Sequence, residues 1–255
     1  MNKPRIRAQI VFAFVLILSI LPNTYLLSQI TVSGSNGLDG TYTNLTQVGG
    51  LFDGLNNSNQ QNTNIQIVIG ADLLLEDGAI ALNAGGWNLL TITASSPVSV
   101  IANLPGALIT LDGASQVLID GALMAGVPSL RFVNSNPTMD ARTIQLINGA
   151  SNNQIKNCTI IGASQSMLAG TIVIGSIDDL QANSNNQIVN CNISAENGAW
   201  AQQAIFLTGN PANFNTGIII SNCLISNYFA AADSSCGIAI RGAVNNVQII
   251  GNRFF

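Results

Sequence analysis

The stretch Asn152-Asn153-Gln154-Ile155-Lys156-Asn157-Cys158-Thr159-Ile160 decides the fold, because the chain repeats it. It returns as Asn185-Asn186-Gln187-Ile188-Val189-Asn190-Cys191-Asn192-Ile193, and again as Ile218-Ile219-Ile220-Ser221-Asn222-Cys223-Leu224-Ile225. A worn fourth copy is Asn245-Asn246-Val247-Gln248-Ile249-Ile250-Gly251-Asn252-Arg253-Phe254. From Asn157 the marker asparagine follows after 33, 32 and 30 residues, at Asn190, Asn222 and Asn252. A fixed period of this length marks a stacked array, in which each unit finds its core only against its neighbours.

Each copy carries a second element upstream: Thr143-Ile144-Gln145-Leu146, Thr171-Ile172-Val173-Ile174, Ala204-Ile205-Phe206-Leu207 and Gly237-Ile238-Ala239-Ile240. Leu108-Ile109-Thr110-Leu111 followed by Val117-Leu118-Ile119-Asp120-Gly121 extends the series toward the N-terminus. Alternation of Ile or Leu with other residues is the two-residue period of a half-buried strand. Gly, Asn and Ser between the strands supply turns. A helical array of this period needs amphipathic stretches of ten or more residues, and none follows Asn57. The expected fold is therefore all-β: a parallel β-helix with two strands per coil, right-handed because parallel crossovers are.

Residues within a coil then take physical jobs. Ile155, Ile188, Ile220 and Ile250 are expected to point inward as an aliphatic ladder, each burial contributing roughly 1.5–3 kcal/mol. Cys158, Cys191 and Cys223 form the next inward column as buried free thiols, with Arg253 breaking it in the last copy. Asn157, Asn190, Asn222 and Asn252 are placed at the bend, where positive φ is required and side-chain amides bond from coil to coil.

The chain opens like a secretory signal. Lys3, Arg5 and Arg7 precede an apolar run from Ile10 to Leu21, Pro22 closes it, and Ser28-Gln29 offers a cleavage point. The expected organisation is a signal peptide over 1–28, an entry segment and capping helix over 29–64, and a parallel β-helix over 65–255. Cleavage places the chain outside the cell with no stable membrane span. It also leaves five cations (eight less Lys3, Arg5 and Arg7) against 12 acids, a net charge of −7. That balance excludes nucleic acid as partner and speaks against an anionic membrane surface. Within the entry segment, Leu45, Val48, Phe52 and Leu55 fall on one helical face, so a short helix is expected to cover the open end of the array.

Leu111-Asp112-Gly113-Ala114-Ser115-Gln116-Val117-Leu118-Ile119-Asp120-Gly121, the Asn-Asn-Gln-Ile-Lys-Asn-Cys copies and Gly40-Thr41-Tyr42-Thr43-Asn44-Leu45 together resemble secreted right-handed parallel β-helix proteins of Bacteroidetes-type bacteria. The resemblance covers roughly residues 31–255. It implies a pectin-lyase-like fold in a secreted or surface protein of the kind exported by type IX secretion, of which this chain is expected to be an N-terminal portion.

That fold is shared with polysaccharide lyases and polygalacturonases, whose sites use carboxylates on neighbouring coils, as Ca²⁺ ligands or as an acid/base pair. The outward columns assigned here hold no carboxylate: Lys156, Val189, Ser221 and Gly251; Thr159, Asn192, Leu224 and Phe254; Thr110, Gln145, Val173, Phe206 and Ala239. Histidine is absent. No catalytic residue is assigned. Asp178 and Asp179, the one adjacent acid pair in a coil-to-coil turn, are the candidates for Ca²⁺ and otherwise form a solvated loop. Trp200 and Tyr228 are the candidates for stacking on a sugar, with Trp87 and Phe229 also in loops. Two functions stand: a monomeric non-catalytic β-helix presenting loops to extracellular polysaccharide or a host or cell surface, or a lyase or hydrolase whose site lies past Phe255.

Overall fold

The computed structural model describes residues 29–124, 127–196, 198–231 and 233–255, so the leader expected over 1–28 lies outside the described residues. The chain is an all-β parallel solenoid in which each coil makes three strands rather than two. The copy that opens the sequence reading is itself two strands, Gln154–Lys156 and Cys158–Gly162, meeting at Asn157. Asn157 sits at φ 56°, and Asn190 and Asn222 repeat that conformation at 53° and 55°. One left-handed residue turns the chain through a corner, and asparagine tolerates that conformation better than other side chains.

Among the described residues three long stacked sheets result, beside two two-stranded ones. Sheet A stacks Asn64–Ile69, Leu89–Ala94, Val117–Asp120, Gln154–Lys156, Gln187–Val189, Ile219–Ser221 and Gln248–Ile250. Sheet B runs from Val98–Ala102 through Leu130–Asn134, Cys158–Gly162, Asn192–Ser194 and Leu224–Ile225 to Arg253–Phe254. Sheet C runs from Leu82–Asn83 through Ala107–Asp112, Arg142–Ile147, Ile172–Ile174 and Gln203–Leu207 to Cys236–Ile240. Every neighbouring pair in this stack is parallel and in register.

Register makes the core a set of ladders. Ile67, Ile92, Ile119, Ile155, Ile188 and Ile220 are successive partners in sheet A and are all buried. Val100, Phe132, Ile160, Ile193 and Ile225 do the same in sheet B, and Ile109, Ile144, Ile172 and Ile205 in sheet C.

The last copy departs from its expected alignment. Ile220 pairs with Ile249, so Ile250 faces outward and is 54 % exposed. The corner residue is Gly251, at φ 66°, not Asn252. Glycine and asparagine both turn a corner, so Gly251-Asn252 offered two alignments and the ladder chose the first. Asn252 instead takes the position after Cys223, where its Oδ1 accepts from the Cys223 amide at 2.8 Å and its Nδ2 donates to Ile220 O at 2.8 Å. Arg253 then pairs with Leu224 and does not break the thiol column.

The N-terminal edge is covered chiefly by strands that the sequence reading missed. Ile30–Ser33 pairs antiparallel with Asn64–Ile69, and Gly40–Tyr42 pairs antiparallel outside it. The helix is only Leu51–Asn56, burying Leu51, Phe52 and Leu55, while Val48 lies in the preceding turn and is exposed. Glu76 fastens this cap to the coils. Its buried carboxylate accepts from the Leu45 and Thr46 amides, both at 2.7 Å, and from Thr46 Oγ1 at 2.5 Å.

Candidate functional site

The residues singled out in the sequence separate into structural and surface groups. Asn153 and Asn186, the second asparagines of their copies, are the buried amides that bond between coils. Asn153 Oδ1 accepts from the Val117 amide at 2.9 Å, and Asn186 Oδ1 accepts from the Asn153 amide at 3.0 Å. Of the corner asparagines, Asn190 and Asn222 are exposed and Asn157 is half-buried, its Nδ2 donating to Asp120 Oδ1 at 2.8 Å, while the amide contact from Asn190 Nδ2 to Asn157 Oδ1 is a long 3.5 Å. What all three share is the left-handed backbone of the corner. Cys158, Cys191 and Cys223 are free, buried and stacked. The neighbouring thiol of Cys158 and burial together hold Cys191 far above the ordinary thiol range. Cys191 and burial do the same for Cys223. Such thiols are inert.

Asp178 and Asp179 do not form a site together. Asp178 is exposed, but Asp179 is buried rather than solvated. Its carboxylate accepts from the Ser176 amide at 2.8 Å, the Asn148 amide at 3.1 Å and Asn183 Nδ2 at 2.5 Å. Asn183 continues the network, accepting from the Gly149 and Ala150 amides at 3.0 Å each. The carboxylate is thus committed to shaping the turn between sheets C and A. Among the described residues no three His, Cys, Asp or Glu side chains come together as a metal site.

The outward columns do hold carboxylates, contrary to the sequence assignment. Asp120 precedes Lys156 in register on sheet A, and their side chains pair at 3.2 Å. Burial raises the Asp120 carboxyl, but hydrogen bonds from Asn157 Nδ2, the Ala122 amide and Lys156 outweigh it and leave the group below its ordinary value. On sheet B, Arg131 pairs with Glu196, a residue 65 positions later. The segment after Asn192–Ser194 folds back across the outer face to make that contact. The ion pair lies in a cleft of 410 Å³ floored by Ile101, Val133 and Ile161.

Trp200 lies at the adjoining end of this cleft, where Ala163 and Ala199 line both hollows. Its ring meets Phe229 edge to face, with centroids 5.0 Å apart and planes at 88°. The two rings are 42 % and 46 % exposed. Gln165 Nε2 donates to Trp200 O and secures the loop. Tyr228 is not the partner of Trp200; it is half-buried and packs on the core, next to a bridge between Ala201 and its own backbone. Trp87 is buried, its Nε1 donating to Ser115 O at 2.7 Å. Phe229 and Glu196 complete the site, and the only sequence signal for either was their place in loops.

No family model, curated protein or solved structure matches the chain. Among the described residues no helix is long and apolar enough to cross a membrane.

Proposed function

We propose that this chain is a secreted or cell-surface β-solenoid that works by contact, holding an extracellular glycan at the Trp200–Phe229 corner without cleaving it. The observation that carries this reading is the pair of half-exposed rings set edge to face at the mouth of a cleft containing Arg131 and Glu196. An exposed aromatic face beside hydrogen-bonding groups suits a sugar, which offers C–H on one side and hydroxyls at its rim. The preferred ligand is a neutral glycan, since the mature charge of −7 (five cations, 12 acids) repels a polyanion.

Contact rather than catalysis is favoured by the state of the carboxylates. Glycoside hydrolysis uses two, one of them raised to serve as acid. The cleft is lined by one, Glu196, and it is ion-paired. Asp120 is depressed, and Asp179, which burial raises, is enclosed by three donors in a turn that does not line the cleft. The secretory pattern of the leader and the resemblance to Bacteroidetes-type β-helix proteins support the extracellular setting. The test is a panel of neutral and acidic glycans, scored for binding and for new reducing ends or unsaturated products. Binding without products is expected, lost about tenfold or more in Trp200→Ala. Product formation, or binding indifferent to Trp200 and Phe229, overturns the reading.

A further inference from the structure

Sheet C carries a feature that the solenoid core does not require. Gln145, Val173, Phe206 and Ala239 are successive partners on its outer face, one per coil. Alternation sends these side chains away from the core, yet Val173 and Phe206 are only 2 % and 3 % exposed. They form a small apolar cluster of their own, separate from the interior. The loops on either side make this possible. Leu168 before the strand Ile172–Ile174 and Ile177 after it stand up as largely exposed walls. The result is a trough of 440 Å³ running along the solenoid axis, within the size range of small-ligand sites.

Its charge is as distinctive as its floor. The chain has 12 acids and eight cations, yet the trough is lined by two arginines and no acid. Arg142 enters at the third-coil end and Arg241 at the opposite corner, beyond Ala239. Arg241 has no side-chain hydrogen bond or ion pair among the described residues. Arg142 Nη1 donates to Asp140 O at 2.7 Å, and its nearest carboxylate is the largely exposed Asp140 at 3.8 Å. Its Nε is buried with no partner. An unpaired buried N–H leaves this guanidinium short of acceptors, so its remaining N–H groups favour an anionic partner. Burial also lowers this guanidinium from its ordinary value, with Asp140 acting in the opposite sense. A partly desolvated cation pulls harder on an anion than one in water.

We infer that the trough is a binding site for a small anionic amphiphile, a carboxylate carried on an acyl chain, with its headgroup on Arg142 and its chain over Val173 and Phe206. The lining sets this ligand apart from the glycan of the Trp200 corner. Apart from Gln145, Ser176 and Thr208 it offers few side-chain partners for sugar hydroxyls, and its floor is aliphatic with one phenyl ring.

The probe is octanoate, titrated calorimetrically into the purified protein, with 1-octanol as the uncharged counterpart. Octanoate is expected to bind at least about tenfold more tightly than octanol. Arg142→Gln should remove that preference and leave octanol binding unchanged. Ile177→Ser, at an exposed wall position, should weaken both, with the melting temperature unmoved in each variant. Octanoate that fails to bind in the millimolar range, or binds equally well to Arg142→Gln, overturns the inference. Octanoate should also leave glycan binding at Trp200 unaffected; displacement of glycan would place the acyl chain elsewhere and likewise overturn it.

Discussion

Asn190 and Asn192 stand two residues apart and answer opposite demands. Asn190 holds φ 53° at a corner, and its side chain makes only the 3.5 Å contact to Asn157. Asn192 lies on a strand, with a buried Oδ1 that finds no partner. Asn190→Leu forces a branched side chain into the left-handed region and should cost about 1–2 kcal/mol. Asn190→Gly should cost under about 0.5 kcal/mol, since it removes the amide and keeps the conformation. Asn192→Leu should be neutral or stabilising, because it deletes an unsatisfied acceptor. Denaturation midpoints decide: a glycine variant as damaged as the leucine one would return the role to the amide ladder. Asp179 gives a pH signature at the same scale. Burial raises its carboxyl above the ordinary 3.8, against the hydrogen bonds that lower it. The folded chain therefore keeps this proton to higher pH than the unfolded one. Its stabilising contribution is full below 3.8 and falls as pH rises through the folded value. Asp179→Asn lacks that slope, so the stability gap between wild type and variant should shrink from about pH 4 to pH 7. A gap that widens with pH would mean a depressed carboxyl.

The cap shows an element held by one side chain. Three donors from Leu45 and Thr46 converge on the buried Glu76 carboxylate. Glu76→Ala leaves two amides and a hydroxyl without an acceptor, and each charged hydrogen bond is worth about 1.5–3 kcal/mol. We expect a stability loss of about 3 kcal/mol or more, with amide exchange at Leu45 and Thr46 accelerated well before that of Ile155 or Ile188. Uniform acceleration throughout would show that the cap and coils unfold as one unit. Nothing in the sequence joins Glu76 to Leu45 and Thr46, because the donors lie some 30 residues earlier. Solenoid, period and the Ile ladder through Ile155, Ile188 and Ile220 were legible, since in-register stacking writes the same residue type at the same place in every coil. The third strand was not. Ile155 and Cys158 both point inward but are three residues apart, because the corner at Asn157 interrupts the two-residue period. Of the proposed surface site, the sequence reading named Trp200 as a candidate and Phe229 as a further loop aromatic. Their companions Arg131 and Glu196 meet across two coils, and the outward residues Val173 and Phe206 are buried by loops rather than by their own alternation.

Across the whole molecule the core of each coil packs on the coils beside it, with the Arg131–Glu196 pair reaching one coil further, so local stability depends on how many neighbours a coil has. The middle coils have two. Ile155, Ile160 and Ile172 belong to one of them and are fully enclosed by ladder partners on both sides. The first coil is covered by the antiparallel strand Ile30–Ser33. Among the described residues Gln248–Ile250 and Arg253–Phe254 pair on one side only, with Ile249 and Phe254 in inward columns. Native-state hydrogen exchange should therefore be graded along the axis. The amides of Gln154–Lys156 and Ile172–Ile174, paired on both sides, should exchange near the global limit, and those of the outer covering strand Gly40–Tyr42 faster. Replacing Ile188 by Asp should lower protection on both sides of it. Equal protection in every coil would show that the solenoid unfolds in one step and that its stability is not a sum over neighbours.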